Sequence, residues 1–235
     1  MIDETDFPFL GQKGHVVSLV GGGGKTTLLY AMAALCARKG WKTLATTTTH
    51  ILQPTGGVWA QTDAELRALW ERGRFGVVGT AAPDGKLTVP PQKSLARWMA
   101  QADIVLIEAD GAKRMPCKAP AAHEPVLLPQ SDLVLAVAGA SALGKPLKDV
   151  CFRAELAAAL LGVPEDASLT PALLAKLLAS EAGGRKAVGS RPFTAVINQV
   201  DTDACRQLAG QTARLLTDRY GVPCVLTSLE EGERA

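Results

Sequence analysis

Several things are scarce in this sequence, and each scarcity removes a class of function. Aromatic residues make up 5% of the chain and there are three histidines, too few to offer single-stranded nucleic acid a stacking platform. The net charge of +2 over 235 residues implies no basic face, so nucleic acid is not an expected partner. The five cysteines, at positions 36, 117, 151, 205 and 224, are odd in number and contain no C-x-x-C pair. That argues against a disulfide framework and a zinc ribbon, and suits a reducing cytosol. No apolar run approaches the length of a membrane span. The amino end, "MIDETDFPFL", is acidic without a long apolar core and does not read as a signal peptide. The expectation is a cytoplasmic protein with neither membrane nor nucleic acid as partner.

What is present supports a folded core. Hydrophobic residues are 47% and charged residues 20% of the chain, and the length suits one sizeable α/β domain over residues 1–235. "HVVSLV" (His15 to Val20) reads as a buried strand, and "KTTLLYAMAALCARKG" places Leu28, Leu29, Met32, Leu35 and Cys36 at helical spacing before Gly40. "KTLATTTTH" is a second strand, and Thr62 with Glu65 forms a capping box that starts a helix ending at Gly73. "GVVGTAAPDGKLTVP" reads as a hairpin insertion over about residues 75–90, turning at Pro83-Asp84-Gly85. "DIVLIEADG", "DLVLAVAG", "TAVINQVD" and "CVLTS" are further strands, with helices between them; 53–61 and 111–131 read as irregular. Apolar strands alternating with helices predict a three-layer α/β fold with a mainly parallel sheet.

"SLVGGGGKTT" (Ser18 to Thr27) lies between the first strand and the first helix. A phosphate-binding loop needs that context, because backbone N–H groups then converge on an anion at a helix N-terminus. Gly21, Gly22, Gly23 and Gly24 let the backbone approach the phosphates, Lys25 neutralises charge, and Thr26 and Thr27 supply hydroxyls, Thr26 toward Mg²⁺. Leu19 stands where the common pattern has its first glycine. The spacing matches the variant loop of the SIMIBI class of P-loop proteins, although Val20 occupies the place of the lysine that reaches across a dimer in one branch. The predicted fold is therefore that of a P-loop NTPase.

"IVLIEADGAK" ends a buried strand in Glu108, followed by Asp110 and Gly111. Carboxylates there are placed to hold Mg²⁺ or orient water, and Asp110 is also a candidate base; a strand-end acid can equally cap the next helix. The E-x-x-G spacing resembles the Walker B element of GTPases that deliver nickel or cobalt to enzymes. In "VINQVD", Asn198 and Asp201 match the base-reading N-K-x-D element, with Gln199 in place of the lysine, and "VLTS" falls where a supporting loop belongs. An Asn…Asp pair is also a common turn and cap, so ATP and GTP both stay open as the nucleotide. Thr48 and His50 in "TTTTH" are candidates to face the γ-phosphate or its metal, or are simply part of a threonine-rich strand. "GAKRMPCKAPAAHEP" carries Lys113, Arg114, Cys117, Lys118, His123 and Glu124, a mix that suits an anionic second substrate. Cys117 is a candidate nucleophile or soft ligand, or an ordinary loop cysteine.

In sequence, "VVSLVGGGGKTT", "ATTTTHI", "IEADGAKRMPCKAPAAHEP", "GASALGKPL" and "INQVD" resemble the selenium-dependent hydroxylase accessory proteins, the YqeC-type selenium cofactor biosynthesis family. The resemblance implies a cytoplasmic P-loop nucleotide hydrolase that assists maturation of selenium-dependent molybdenum hydroxylases, with Lys118, His123 and Glu124 as site residues. The sequence departs from the family pattern at Cys117, where an apolar residue is expected, and at Phe152, where a histidine is expected before Arg153. Two alternatives to hydrolysis are a small-molecule kinase or nucleotidyltransferase, and a non-enzymatic docking module gated by nucleotide.

Overall fold

In a computed structural model that describes residues 2–83 and 85–228, the strand before the glycine run, β1 (Val16–Gly21), sits inside an eight-stranded sheet. From edge to edge the order is β13 (Cys224–Leu226), β12 (Phe193–Asn198), β10 (Leu133–Gly139), β1, β8 (Ile104–Glu108), β2 (Thr43–Thr47), β5 (Gly76–Val78) and β4 (Trp59–Ala60). All these pairings are parallel. The α/β fold with a mainly parallel sheet read from the sequence is thus the one observed.

The strands alternate their side chains between two apolar layers. Leu135 and Val137 of β10 pack with Leu28, Leu29 and Met32 of α1 (Lys25–Arg38) on one face. Val134, Ala136 and Ala138 pack on the other face with Leu174 and Leu178 of α6 (Pro171–Ala179) and Leu216 of α7 (Asp203–Tyr220). Leu66 and Leu69 of α2 (Asp63–Glu71) and Leu95 and Trp98 of α3 (Gln92–Met99) cover the rest of that second face. Leu28, Leu29 and Met32 are wholly buried, each stabilising the layer by about 2 kcal/mol. The Thr62–Glu65 capping box is present at the start of α2.

Three local expectations are corrected. The second strand ends at Thr47, before Thr48 and His50, because the Thr49 amide donates to Thr47 Oγ1 at 3.0 Å and turns the chain. His50 instead opens β3 (His50–Leu52) in a separate antiparallel sheet, beside β7 (Lys86–Thr88), which pairs in turn with β6 (Thr80–Ala82). The hairpin is therefore shorter than expected, since Gly76–Val78 belongs to the main sheet; Asp84 lies outside the described residues. Of the stretches read as irregular, 53–61 contains β4, and 111–131 contains β9 (Cys117–Lys118). β9 pairs with β11 (Cys151–Phe152), which follows the short α4 (Leu147–Val150) and precedes α5 (Ala154–Leu161).

The carboxyl ends of β1, β8, β2 and β10 lie side by side, putting Gly21, Glu108, Thr47 and Gly139 at one edge of the sheet. In parallel α/β sheets that edge is where ligands bind.

Candidate functional site

Gly21, Gly23 and Gly24 have φ of 96°, 70° and 92°, the left-handed region that favours glycine. Space demands glycine as well. A Cβ at Gly21 would lie 2.2 Å from the Val137 carbonyl oxygen, and one at Gly23 would lie 2.0 Å from the Gly139 nitrogen. The loop is wedged against β10.

The amides of this loop have internal partners. Gly21 N–H donates to both carboxylate oxygens of Asp110 at 3.1 and 3.0 Å, Gly22 N–H to the Val137 carbonyl at 2.8 Å, and Gly23 N–H to the Met115 carbonyl at 3.1 Å. The expected convergence of these three amides on phosphate is therefore not what this conformation shows. The open donors are at the start of α1, whose N-cap, Gly24, brings no side-chain cap. An uncapped helix N-terminus presents backbone N–H groups and a partial positive charge to an anion.

Lys25 Nζ is buried at that point. It donates to the Gly21 carbonyl at 2.6 Å and lies 3.1 Å from Asp110 and 3.7 Å from Glu108. Burial works against its charge, but Asp110 and then Glu108 more than offset this and raise its pKa. Thr26 Oγ1 donates to Glu108 Oε2 at 2.6 Å. Burial raises the Glu108 carboxyl above its ordinary range, against the pull of Lys25 and Thr26. A threonine hydroxyl and a carboxylate that converge this closely at the cleft are hard oxygen donors of the kind Mg²⁺ takes.

Asp110 is placed differently from Glu108. Besides Gly21, it pairs with Lys118 Nζ at 2.9 Å, and unlike Glu108 it does not line the open cleft. Lys118 is corrected as a substrate contact. Its side chain is 0% exposed, held by Asp110, by the Gly111 carbonyl at 2.6 Å and by Glu124 at 2.9 Å. Glu124 in turn accepts from Arg153 Nη1 at 2.6 Å. Lys25, Asp110, Lys118, Glu124 and Arg153 thus form one chain of alternating charge leading from the phosphate loop.

Cys117 is also corrected. Of its two readings the ordinary one fits and the thiolate one does not: the side chain is buried, and the Cys151 thiol and burial push its pKa up. No group of three His, Cys, Asp or Glu residues arranged for a metal ion occurs among the described residues.

Asn198 is buried. Its Nδ2 donates to the Gly23 carbonyl at 2.9 Å and its Oδ1 accepts from Thr227 Oγ1 at 2.9 Å. Asp201 is exposed and accepts from Ser228 Oγ at 2.7 Å. The "VINQVD" and "VLTS" ends therefore meet, with Asn198 tying their corner to the phosphate loop.

A cleft of about 1230 Å³ runs from Gly22–Thr27 past Thr48, His50, Glu108, Gly111, Lys113, Arg114, His123 and Glu124. Thr48 Oγ1 donates to the Val126 carbonyl at 2.7 Å, so it acts within the protein as well as lining the cleft. Among the lining residues that the sequence reading did not single out as site residues are Lys86, Phe152, Arg153 and Gln199. Phe152 and Arg153 stood out only as neighbours of a missing histidine, and Gln199 only as a replaced lysine. Gln199 accepts from Ser141 Oγ at 2.7 Å.

A family model described as YqeC protein matches residues 17–155. The uncharacterized protein YqeC of Escherichia coli (strain K12) is 35% identical over 181 residues, covering 74% of this chain and 71% of that one. Among solved structures, HypB from Helicobacter pylori in complex with nickel aligns over 96% of this chain and 83% of its own, with TM-score 0.41 and 13% identity. The hydrogenase maturation factor HypB from Archaeoglobus fulgidus aligns over 96% and 85%, with TM-score 0.38 and 12% identity.

Proposed function

The chain belongs to the YqeC family, and from that premise we propose that it binds a nucleoside triphosphate with Mg²⁺ and hydrolyses it while assisting maturation of selenium-dependent molybdenum hydroxylases. The observation that carries the nucleotide reading is the set at the start of α1. There the uncapped helix, the Lys25 ammonium and the 2.6 Å pair of Thr26 Oγ1 with Glu108 Oε2 meet at one end of the cleft. The maturation role rests on the motifs shared with the family, above all "IEADGAKRMPCKAPAAHEP".

The α1 amides and Lys25 hold the phosphates, and Lys25 neutralises charge as it develops on them. Thr26 and Glu108 would hold Mg²⁺, which would supply positive charge to the bound phosphates. Asp110 anchors Lys25 and the Gly21 amide, a positioning part, since its oxygens are engaged by Gly21, Lys25 and Lys118. Asp201, with Ser228 fixing it, reads the base, and Asn198, whose amide is engaged by Gly23 and Thr227, ties that corner to the loop; the guanine reading rests on the match of "VINQVD" to the base-reading element. The cleft space beyond the loop supports a second reading, phosphoryl transfer to a small acceptor.

The test is phosphate release from GTP and from ATP by the purified protein with Mg²⁺. Lys25→Ala is expected to weaken nucleotide binding by about 1.5–3 kcal/mol, the worth of a hydrogen bond to a charged group, and to abolish turnover. A Lys25→Ala protein that still binds and splits nucleotide overturns the reading. Asp201→Asn should lower any preference for GTP, and an unchanged preference removes the base corner. Labelled phosphate found on a small acceptor, and not free in solution, selects the transferase.

A further inference from the structure

The cleft is too large and too unevenly charged to serve a triphosphate alone. Small-molecule sites commonly enclose about 300–1000 Å³, and this one is about 1230 Å³ while the base-corner residues Asn198 and Asp201 are not part of its lining. Beyond the loop the cleft is lined by the 111–115 segment, by His123 and Glu124, by Phe152 and Arg153, and by residues of the small antiparallel sheet. Lys86, Lys113, Arg114, His123 and Arg153 line the cleft, against two carboxylates that already have partners: Glu124, held by Lys118 and Arg153, and Glu108, held by Lys25 and Thr26. Among the described residues Lys113 and Arg114 have no carboxylate within ion-pair distance. Lys113 Nζ instead lies 5.1 Å from the Phe152 ring centre, and the Arg153 guanidinium stacks on the same ring at 4.2 Å.

The backbone at this place is strained. Lys113, Arg114 and Arg153 have φ of 47°, 63° and 64°, in the left-handed region that L-residues avoid. Gln199, at φ 62°, lines the same cleft, so four of the five such non-glycine residues described gather there. Strain of this kind collects where side chains are held for a ligand. Arg153 is held in that way, between Glu124 and Phe152, with only Nη1 bonded to the carboxylate, so other guanidinium N–H donors remain for a ligand.

The geometry points to a second ligand site in this cleft, at which Arg153, Lys113 and Arg114 take the oxyanion group of a small molecule while the phosphate loop holds its nucleotide. The site rests on the nucleotide reading for its simultaneous occupancy, not for its existence. The ligand class is a compact carboxylate or phosphate ester with an apolar body that packs against Phe152.

The experiment is calorimetric titration of the full chain, saturated with a non-hydrolysable triphosphate analogue and Mg²⁺, with phenyl phosphate and separately with benzoate. One probe molecule per chain should bind without displacing the analogue, and the arm that binds more tightly identifies the oxyanion. The Lys113→Ala/Arg114→Ala double variant, altered only at exposed side chains, should weaken the probe about tenfold or more, as expected for loss of charged hydrogen bonds. Arg153→Ala should do the same; because it leaves Glu124 short of a partner, its folding is checked by circular dichroism and the double variant decides if it fails. Displacement of the analogue by the probe, equal binding to the double variant, or no binding of either probe at millimolar concentration overturns the site. If the analogue itself does not bind, the nucleotide reading fails, and the same titration without it still decides the oxyanion site.

Discussion

Behind the glycine loop, charge is buried and spoken for. Lys25, Asp110, Lys118 and Glu124 are each 8% exposed or less, and each has at least one partner of opposite sign. Along the outer lining Lys113, Arg114 and His123 are exposed, and Lys86 is half-buried. The inner charges hold each other and the loop in place, whereas the outer ones make no side-chain hydrogen bond or ion pair among the described residues. Burial separates the two groups: a charge removed from water must be paired, and once paired it becomes part of the framework. Burial thus divides lysines of the same short segment: Lys113 is exposed in the cleft lining, and Lys118 is a buried, paired girder.

The largest test of that division is Lys118→Ala. It leaves Asp110 and Glu124 facing each other without their shared cation, so stability should fall by about 3–5 kcal/mol, the usual cost of breaking a buried pair. The measurement is the urea midpoint; a drop below about 1 kcal/mol would show that the inner chain supports nothing.

Acid should expose the same chain more gently. Burial tends to raise the Glu124 carboxyl, but the hydrogen bond and charge of Lys118, the Ala121 amide and Arg153 outweigh it and bring its pKa below 4.5. A carboxyl whose folded pKa lies below its unfolded value contributes stability above the unfolded value and loses it as pH falls through the folded one. Glu124→Gln should therefore be about 1–3 kcal/mol less stable near neutrality, and its stability curve should approach that of the parent as pH falls below 4.5. Parallel curves through that window would remove Glu124 from the inner set.

The smallest effect belongs to the outer lining. Lys86→Ala removes a side chain with no recorded ion pair among the described residues, and stability should move by no more than about 0.5 kcal/mol. A larger loss in thermal or urea unfolding would mean that the outer charges are structural too.

Much of the inner end was legible from local pattern. A valine-rich strand, a glycine run and a helix at apolar spacing are contiguous in sequence, and "IVLIE" announces a buried strand with an acid at its tip, so Lys25, Thr26 and Glu108 could be brought together on paper. The partners of the glycine amides could not, because Val137 and Met115 reach them from separate parts of the chain. Lys118 was misread for a related reason. Lysine is rarely buried, and only the tertiary placement of Asp110 and Glu124 makes its burial tolerable. Arg153 and Phe152 joined the cleft through the two-residue pairing of β9 with β11, too short to leave a periodic signal. β4 and β3 escaped for the same brevity.

The tight seat of Gly21 and Gly23 against β10 bears on how this sequence is to be compared with its relatives. Because the Val137 carbonyl and the Gly139 nitrogen exclude any side chain there, those glycines are dictated by architecture, with or without a ligand. A lineage that had given up its nucleotide would still carry them for as long as it kept this sheet. Under the proposed nucleotide reading, drift would show first at Lys25, Thr26 and Glu108, which line the cleft. Among diverged members, the glycines are then a record of descent, and those three side chains a record of use.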